Sequence, residues 1–265
     1  MKVRDHHVIQ VPSRRYFTPI NTSSGAGEIV SVGSAVATLS KGDNVLITYT
    51  SCGSCTNCSD KHSSFCKDWE HANFGVGRLD GSKAYALPSG EKVTSHFFGQ
   101  SSFARYTVAT ERSVIKVPAE SKLEYLAPLG CGIMTGAGAM LNVVKPTKSS
   151  SVAVVGAGAV GLAAIMAVKL SAEQPRRVIA VDVVASRLEM AMKCGATHTV
   201  DSNKVKDLKA ELLRITDGEG VTGSIDCTGR ADVVSTLIDS TAKRGIIVSV
   251  GVGKVCIPPR MREQN

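Results

Sequence analysis

The chain has 265 residues, of which 43% are hydrophobic and 20% charged, an ordinary composition for a globular protein. Lys and Arg exceed Asp and Glu by 31 to 23, but the excess is shared equally between residues 1–145 and 146–265 and is interleaved with acidic residues. There is no basic stripe for a phosphate backbone and no apolar run of the ~20 residues that cross a bilayer, so we expect neither nucleic acid nor membrane as a partner. No secretory leader follows Met1, which predicts a cytoplasmic location.

The first half of the chain predicts β structure. Short β-branched runs between turn glycines predict strands at Glu28–Val32, Asn44–Tyr49, Ala104–Ala109 and Val114–Val117. Their spacing favours a small, irregular barrel, from which Ser51–Lys67 departs as a loop. We assign residues 1–145 to this first domain.

A cysteine cluster with the spacing C-x2-C-x2-C-x7-C lies in that loop, at Cys52, Cys55, Cys58 and Cys66. Four thiolates can close a tetrahedral shell around one Zn²⁺. A loop without apolar periodicity would gain its order from such a metal. One or two disulfides are the alternative, which the lack of a secretory leader disfavours. Because four protein ligands leave no open position, the pattern predicts a structural zinc.

The second half alternates strands and helices, which predicts a doubly wound α/β domain with a parallel sheet over residues 146–265. The predicted strands are Ser151–Val155, Arg177–Val181, His198–Val200, Ser224–Cys227 and Gly245–Val250. The predicted helices are Val160–Leu170, Ser186–Cys194, Val205–Ile215 and Ala231–Ala242. Five strands are visible, where a complete Rossmann arrangement has six.

A G-x-G-x-x-G fingerprint separates the first strand and helix of this domain, with cofactor-binding residues Gly156, Gly158, Ala159, Val160 and Gly161. Asp182 follows 21 residues after the last glycine, at the end of the next strand. A carboxylate there binds the adenosine ribose and repels a 2′-phosphate, which predicts NAD over NADP. Arg187 could accommodate such a phosphate, and a packing glycine run with an incidental aspartate is the other alternative.

These features together resemble the zinc-containing medium-chain alcohol dehydrogenases, which pair an N-terminal GroES-like barrel with a Rossmann domain. The likeness includes Leu129–Gly136 (LGCGIMTG) and Val250–Val252, and His96–Ala104 and Pro128–Ala139 are closer to the aryl (benzyl-type) branch. The resemblance implies reversible hydride transfer between NAD and a small-molecule alcohol or aldehyde, with primary aromatic alcohols as the expected class. It also implies a homo-oligomer.

The resemblance further implies a second, catalytic zinc bound by Cys, His and Cys, of which Cys131 would be the last ligand. Thr135 and Val250 would then lie against the nicotinamide and Thr228 near the adenosine half. For Cys131 the alternative is a small core residue.

The chain departs from the family pattern in several places. Serine occupies the expected histidine position within Thr22–Ser24, and the first cysteine ligand would precede the chain. Pro12–Ser24 and the sequence after Val252 look intron-like and lack family likeness. We therefore expect a truncated chain with an incomplete catalytic zinc site, no dimer-edge strand and impaired activity, which neither His6 nor His7 restores.

Three rival interpretations remain open. The chain could be a non-catalytic remnant that binds zinc and NAD, an NADPH-dependent reductase of the quinone reductase type, or a redox sensor built on the thiol cluster.

Overall fold

The structure is a computed structural model that describes residues 8–12 and 25–253, apart from residues 76, 84, 94, 95 and 103. The predictions about His6, His7, Thr22–Ser24 and the sequence after Gly253 lie outside these described residues.

The chain divides into two compact units, Met1–Cys131 and Gly132–Asn265. The sequence prediction places the boundary later, after residue 145. The chain between the two boundaries forms a helix and a π-helical turn that belong to the second unit.

The first unit is built from short strands. They are β1 (Val8–Pro12), β2 (Gly25–Glu28), β3 (Ser31–Val32), β4 (Asn44–Ile47), β5 (Tyr85–Ala86), β6 (Lys92–Val93), β7 (Tyr106–Thr110) and β8 (Val114–Lys116). Two three-stranded antiparallel sheets, β3-β1-β7 and β2-β4-β8, accompany the β5-β6 hairpin. Ile29, Val45 and Ile47 are fully buried in the core of this unit. The predicted β domain is confirmed. The predicted strand Glu28–Val32 is wrong, since the chain there forms the end of β2 and the separate β3, and β1, β5 and β6 were not predicted.

The cysteine segment contains helical turns, which corrects the prediction of a plain loop. It holds α1 (Thr56–Ser59) and a 3-10 turn at Ser63–Phe65, and α2 (Trp69–Phe74) follows; α3 (Leu123–Leu126) lies near the end of the unit. Single turns of this kind are too short to show a 3.6-residue apolar period, so sequence periodicity cannot reveal them.

The second unit alternates strands and helices. Its elements are α4 (Gly132–Gly138), β9 (Ser151–Val155), α5 (Ala159–Ala167), β10 (Arg177–Asp182), α6 (Ala185–Cys194), β11 (His198–Asp201), α7 (Leu208–Ile215), β12 (Val221–Asp226), α8 (Ala231–Ser240) and β13 (Thr241–Ser249). All neighbours in the sheet are parallel, in the order β11-β10-β9-β12-β13. The doubly wound prediction is confirmed.

The two faces of this sheet bury two separate cores. Val152 and Val154 of β9 pack in one cluster with residues of α5 and α6. Ala153 and Val155 pack in the other with residues of α7 and α8. Successive side chains of β9 therefore point alternately into the two cores, as expected for a sheet covered by helices on both sides.

Several element boundaries differ from the prediction. β12 begins at Val221, three residues before the predicted Ser224, and α5 ends at Ala167, with a 3-10 turn over Val168–Leu170. α7 begins at Leu208 because the side chain of Asp207 accepts a hydrogen bond from the N–H of Ala210 at 3.1 Å and caps the helix. α8 ends at Ser240, and β13 begins directly afterwards at Thr241. α4 was not predicted, since its glycines conceal a helical pattern.

Among the described residues, no single helix is long and apolar enough to cross a membrane; one broken pair, Leu123–Gly130 with Gly132–Val144, reaches that length and composition jointly.

Candidate cofactor and metal sites

The glycine fingerprint forms a tight turn between β9 and α5. Gly156 has a φ of +92°, in the left-handed region that favours glycine, and its N–H donates to the carbonyl of Val181 at 2.8 Å. A Cβ on Gly161 would lie 2.0 Å from the carbonyl oxygen of Gly156, so this glycine allows α5 to pack on the turn. A Cβ on Gly158 would meet no atom within 4 Å. The turn therefore leaves the open approach that a pyrophosphate needs at a helix N-terminus.

Ala159 and Val160 form the first turn of α5. Ala159 is exposed and Val160 is half-buried. Neither side chain offers a hydrogen-bonding group, so any contact with a phosphate would come from the main-chain N–H groups at the start of the helix.

Asp182 ends β10 beside this turn and is 6% exposed. Its Oδ2 accepts a hydrogen bond from the N–H of Ala157 at 2.7 Å, and its Oδ1 accepts from Val183 and Val184 at 2.8 and 2.9 Å. The exposed guanidinium of Arg187 lies 3.8 Å from Oδ2. The three main-chain donors therefore fix the orientation of the Asp182 carboxylate beside the glycine turn.

Thr228 and Val250 lie at the carboxyl ends of neighbouring strands, β12 and β13. A Cβ on Gly156 would lie 3.2 Å from Cγ2 of Thr228, so Thr228 contacts the glycine turn. Val250 is half-buried against the core of the unit. Thr135 is half-buried on α4, next to Gly136, where a Cβ would lie 2.0 Å from a carbonyl oxygen of α5. The structure thus brings the fingerprint, Asp182 and Thr228 together at one edge of the sheet.

Sequence reasoning missed Asp226, a fully buried acid at the end of β12. Four donors from nearby segments surround its carboxylate. The next residue, Cys227, is half-buried, and desolvation together with the adjacent Asp226 raises the pKa of its thiol to about 12. An acidic residue at a strand end, two positions before Thr228 and three before Gly229, was the available signal.

The four cysteines of the first unit converge as predicted. The thiol sulfurs of Cys52, Cys55, Cys58 and Cys66 all lie within 4.8 Å of one another, and none is in a disulfide. Sγ of Cys52 and Sγ of Cys58 are 4.0 Å apart. Four sulfurs at about 2.3 Å from one zinc lie about 3.8 Å apart at the corners of a tetrahedron. The cluster therefore fits Zn²⁺ with only a small contraction, and its sulfurs are far beyond the ~2.05 Å of a disulfide bond.

Main-chain donors prepare the cluster for a cation. The N–H of Cys52 donates to Sγ of Cys66 at 3.3 Å, and the N–H of Cys55 donates to Sγ of Cys52 at 3.4 Å. The N–H groups of Ser54 and Cys55 lower the pKa of the Cys52 thiol to about 6, whereas burial raises the pKa of Cys66 to about 11. A bound divalent cation would deprotonate all four thiols.

Cys131 is half-buried after a 3-10 turn at Ala127–Gly130, and its N–H donates to the carbonyl of Pro128 at 3.3 Å. The turn is fixed to the end of β4, because the buried hydroxyl of Thr48 donates to the carbonyl of Gly130 at 2.6 Å. Among the described residues, only the four-cysteine cluster gathers three or more potential ligands within reach of one metal. The described residues therefore do not fit the implied catalytic zinc.

A contiguous aromatic cluster lies near the same end of β4. Phe98 contacts Trp69, Phe74 and Phe97 with ring centroids 6.1, 5.1 and 4.8 Å apart. Phe74 and Phe97 are 46% and 39% exposed, so the cluster presents aromatic surface. The side chain of Gln100, close to Phe97 in sequence, donates to the carbonyl of Thr48 at 2.9 Å. The aromatic segment and the Cys131 turn are thus anchored to the same residue.

A Rossmann-type cofactor edge and a four-thiol zinc site in a β unit define a zinc-containing dehydrogenase of the medium-chain class. Residues 2–119 match the family of alcohol dehydrogenase GroES-like domains, and residues 159–263 match the zinc-binding dehydrogenases. The chain is 38% identical over 241 residues to a probable alcohol dehydrogenase of a Pseudomonas species, covering 89% of this chain and 72% of that protein.

Two further relatives carry more specific names. The chain is 40% identical to a geraniol dehydrogenase of Castellaniella defragrans, covering 86% of this chain and 60% of that protein. Its structure is similar to that of a benzyl alcohol dehydrogenase from Acinetobacter calcoaceticus, with a TM-score of 0.82, 33% identity, and coverage of 97% and 73%. The chain thus spans between 60% and 73% of the length of these relatives. It belongs to the zinc-type alcohol dehydrogenase family.

Proposed function

We propose that this chain binds NAD and one structural zinc and, as part of an alcohol dehydrogenase, takes part in reversible hydride transfer between a primary alcohol and its aldehyde. When bound, NAD supplies the hydride acceptor. The observation that carries the proposal is the arrangement of the open glycine turn beside the oriented carboxylate of Asp182.

The carboxylate of Asp182 supports NAD over NADP. It is buried beside the turn and carries a negative charge where a 2′-phosphate of NADP would add two more. Arg187 contacts the same carboxylate through a long, exposed ion pair, so its charge is partly engaged. This arrangement also speaks against the quinone reductase interpretation, which requires NADPH.

The four-cysteine cluster would bind zinc as a structural ion. Its four thiolates fill the tetrahedral shell, so no position remains for substrate. Because free thiols persist in a reducing compartment, the cluster also supports a cytoplasmic location.

Aromatic or other apolar primary alcohols are the proposed substrates. The exposed rings of Phe74 and Phe97 offer edge-to-face contacts to an aromatic or unsaturated ligand. A benzyl alcohol dehydrogenase and a geraniol dehydrogenase among the relatives agree with that chemistry.

A second candidate function is cofactor and zinc binding without chemistry. It is favoured by one observation: of the implied catalytic ligands, only Cys131 lies among the described residues, and no group of three or more potential ligands there includes it. Zinc content separates the two candidates. About one zinc per chain supports the binding protein, and about two supports a completed catalytic site.

The proposal is tested on the full chain by calorimetric titration with NAD and NADP. We expect NAD to bind at least tenfold more tightly, and Asp182→Asn to narrow that preference. Asp201→Asn is the matched control, because Asp201 pairs with Asp182 in the β10-β11 register but is not beside the glycine turn. Equal affinity for the two cofactors, or no binding of either, would refute the NAD proposal.

Turnover is then measured with NAD and benzyl alcohol, geraniol or ethanol. Phe97→Ala should raise KM for the first two more than for ethanol. Exposed Tyr125 in the same unit provides the control variant Tyr125→Ala, since no ring contact joins it to the aromatic cluster among the described residues.

A further inference from the structure

Asp226 forms a hydrogen-bonding hub at the carboxyl end of β12. Its Oδ1 accepts from the N–H of Thr228 at 2.8 Å and from the hydroxyl of Thr228 at 2.6 Å. Its Oδ2 accepts from the N–H of Gly229 at 3.2 Å and from the hydroxyl of Ser249 at 3.1 Å. These four donors match the four acceptor positions of an ionised carboxylate, and the residue is fully buried.

The main-chain carbonyl of Asp226 holds the neighbouring strand end. It accepts from the N–H of Val250 at 2.9 Å and from the N–H of Gly251 at 3.0 Å. One residue therefore binds two chain segments, Thr228–Gly229 after β12 and Ser249–Gly251 at the end of β13.

These two segments also touch backbone to backbone. A Cβ on Gly251 would lie 2.1 Å from the main-chain nitrogen of Gly229, and a Cβ on Gly229 would lie 2.7 Å from the carbonyl of Val252. Gly229 has a φ of +68°, which favours glycine. The contact leaves little freedom for either segment to move alone, so the bonds to Asp226 set the position of both.

We propose that Asp226 is a positioning residue for the dinucleotide, because it fixes the Thr228 segment and the Val250 segment in a single arrangement. The inference rests on the proposed NAD function, in which the cofactor binds at the glycine turn that Thr228 contacts. A preformed edge avoids the cost of ordering two segments when the cofactor binds. Asp226 itself is buried beneath the segments and need not touch the ligand.

Two substitutions remove the hydrogen bonds of the Asp226 side chain to different extents. Asp226→Asn keeps the size but has one acceptor oxygen. If that oxygen stays with Thr228, the amide nitrogen faces the N–H of Gly229, and two donors oppose each other. Asp226→Ala removes all four side-chain bonds. Because hydrogen bonds to buried charges are among the strong ones, we expect the Kd for NAD to rise about tenfold in Asp226→Asn and further in Asp226→Ala.

The matched control is Thr216→Val, at the C-terminal end of α7 and before β12. Thr216 is also fully buried, its hydroxyl donates to the carbonyl of Leu212 at 2.8 Å, and it accepts from the N–H of Gly220 at 3.1 Å. Its loss removes a comparable buried hub without touching the cofactor edge. Thermal unfolding of each variant shows whether the two hubs matter equally for stability.

The experiment combines NAD titration with hydrogen exchange, both on the full chain. We expect Asp226→Asn to weaken NAD binding and to speed exchange selectively at the amides of Thr228, Gly229, Val250 and Gly251. Thr216→Val should do neither, even at equal loss of thermal stability. Wild-type Kd and wild-type exchange in both Asp226 variants would overturn the inference.

Failure of the proposed NAD function can be distinguished from failure of the Asp226 inference. If the unaltered chain binds no NAD, the cofactor proposal fails, and hydrogen exchange alone decides the role of Asp226. Selective acceleration at the four amides would still show that it positions the edge, and unchanged exchange would show that it does not.

Discussion

Two glycines of one fingerprint should respond in opposite ways to the same added methyl group. Gly161→Ala should damage folding, whereas Gly158→Ala should leave folding intact and damage NAD binding. The two residues lie three positions apart at the start of α5. They belong to the same sequence motif, but different atoms surround them in the fold.

The cost at Gly161 follows from a backbone contact. Its Cβ would lie 2.0 Å from the carbonyl oxygen of Gly156 and 3.2 Å from Cγ1 of Val154. The first atom is main chain and cannot rotate away, so α5 must move. Overpacking of this kind costs about 3 kcal/mol, and the better helix propensity of alanine returns about 1 kcal/mol. We expect a net loss of about 2 kcal/mol, which lowers Tm by several degrees.

The cost to folding at Gly158 is small. Its φ of −79° and ψ of −165° are open to any residue, and no atom lies within 4 Å of its Cβ position. Alanine loses about 0.5 kcal/mol as an N-cap residue and regains about 0.5 kcal/mol through a less flexible unfolded chain. Stability should stay unchanged. The methyl group would, however, fill the space proposed for the pyrophosphate, and we expect at least a tenfold weaker NAD affinity.

Thermal denaturation and NAD calorimetry on both variants make the comparison. An equal loss of stability in Gly158→Ala and Gly161→Ala would contradict the separate roles of the two glycines. Binding of NAD by Gly158→Ala with the wild-type Kd would contradict them too, since the glycines would then serve packing only.

Three further predictions concern the first unit and its metal. Cys58→Ser should abolish the zinc content measured by elemental analysis, while Cys194→Ser in the other unit should retain it; zinc retained by Cys58→Ser would contradict the four-thiol site. Gly53→Ala, at a φ of +73°, should cost about 1 kcal/mol through its left-handed backbone, and its Cβ would displace the guanidinium of Arg112. It should therefore speed zinc loss to a chelator, and an unchanged release rate would count against it. Lys116 lowers the pKa of Asp43 through a 2.7 Å ion pair, so this pair stabilises the fold above the ordinary aspartate pKa and ceases to do so as pH falls through the lower native value. Asp43→Asn should therefore be less stable than wild type at neutral pH but not in strong acid, and a deficit independent of pH in denaturant titrations would contradict the assignment.

The sequence predicted the second unit well because its elements are long and periodic. The strands and helices from Ser151 to Ser249 follow the predicted order, and the largest differences are three or four residues at an element end, as at Leu208 and Thr241. The first unit was harder. β1 pairs over five residues with β7, a strand almost a hundred residues further on, and no local pattern announces such a partner.

The same distinction holds for the metal site. The cysteine spacing predicted the cluster at Cys52–Cys66, because all four ligands come from one short segment. The hydrogen bond from Thr48 to Gly130, which anchors the Cys131 turn, joins residues 82 positions apart. A motif whose residues lie close together in sequence can be predicted from the sequence. The long-range contacts that position such a motif mostly cannot.

Asp182 and Asp226, the two acids of the proposed cofactor edge, show why this matters for function. Asp182 was found from its distance to the fingerprint, and its bonding partners Ala157, Val183 and Val184 confirm only that it is oriented. Asp226 has no such motif, since its bond to Ser249 depends on two parallel strands that end at the same edge. Residues of a cofactor fingerprint lie at fixed distances along the sequence and can be recognised there. Residues that position the fingerprint through hydrogen bonds are brought to it by the register of the sheet, which the sequence does not show. The positioning residues of such a dinucleotide-binding edge can therefore be identified only from the structure.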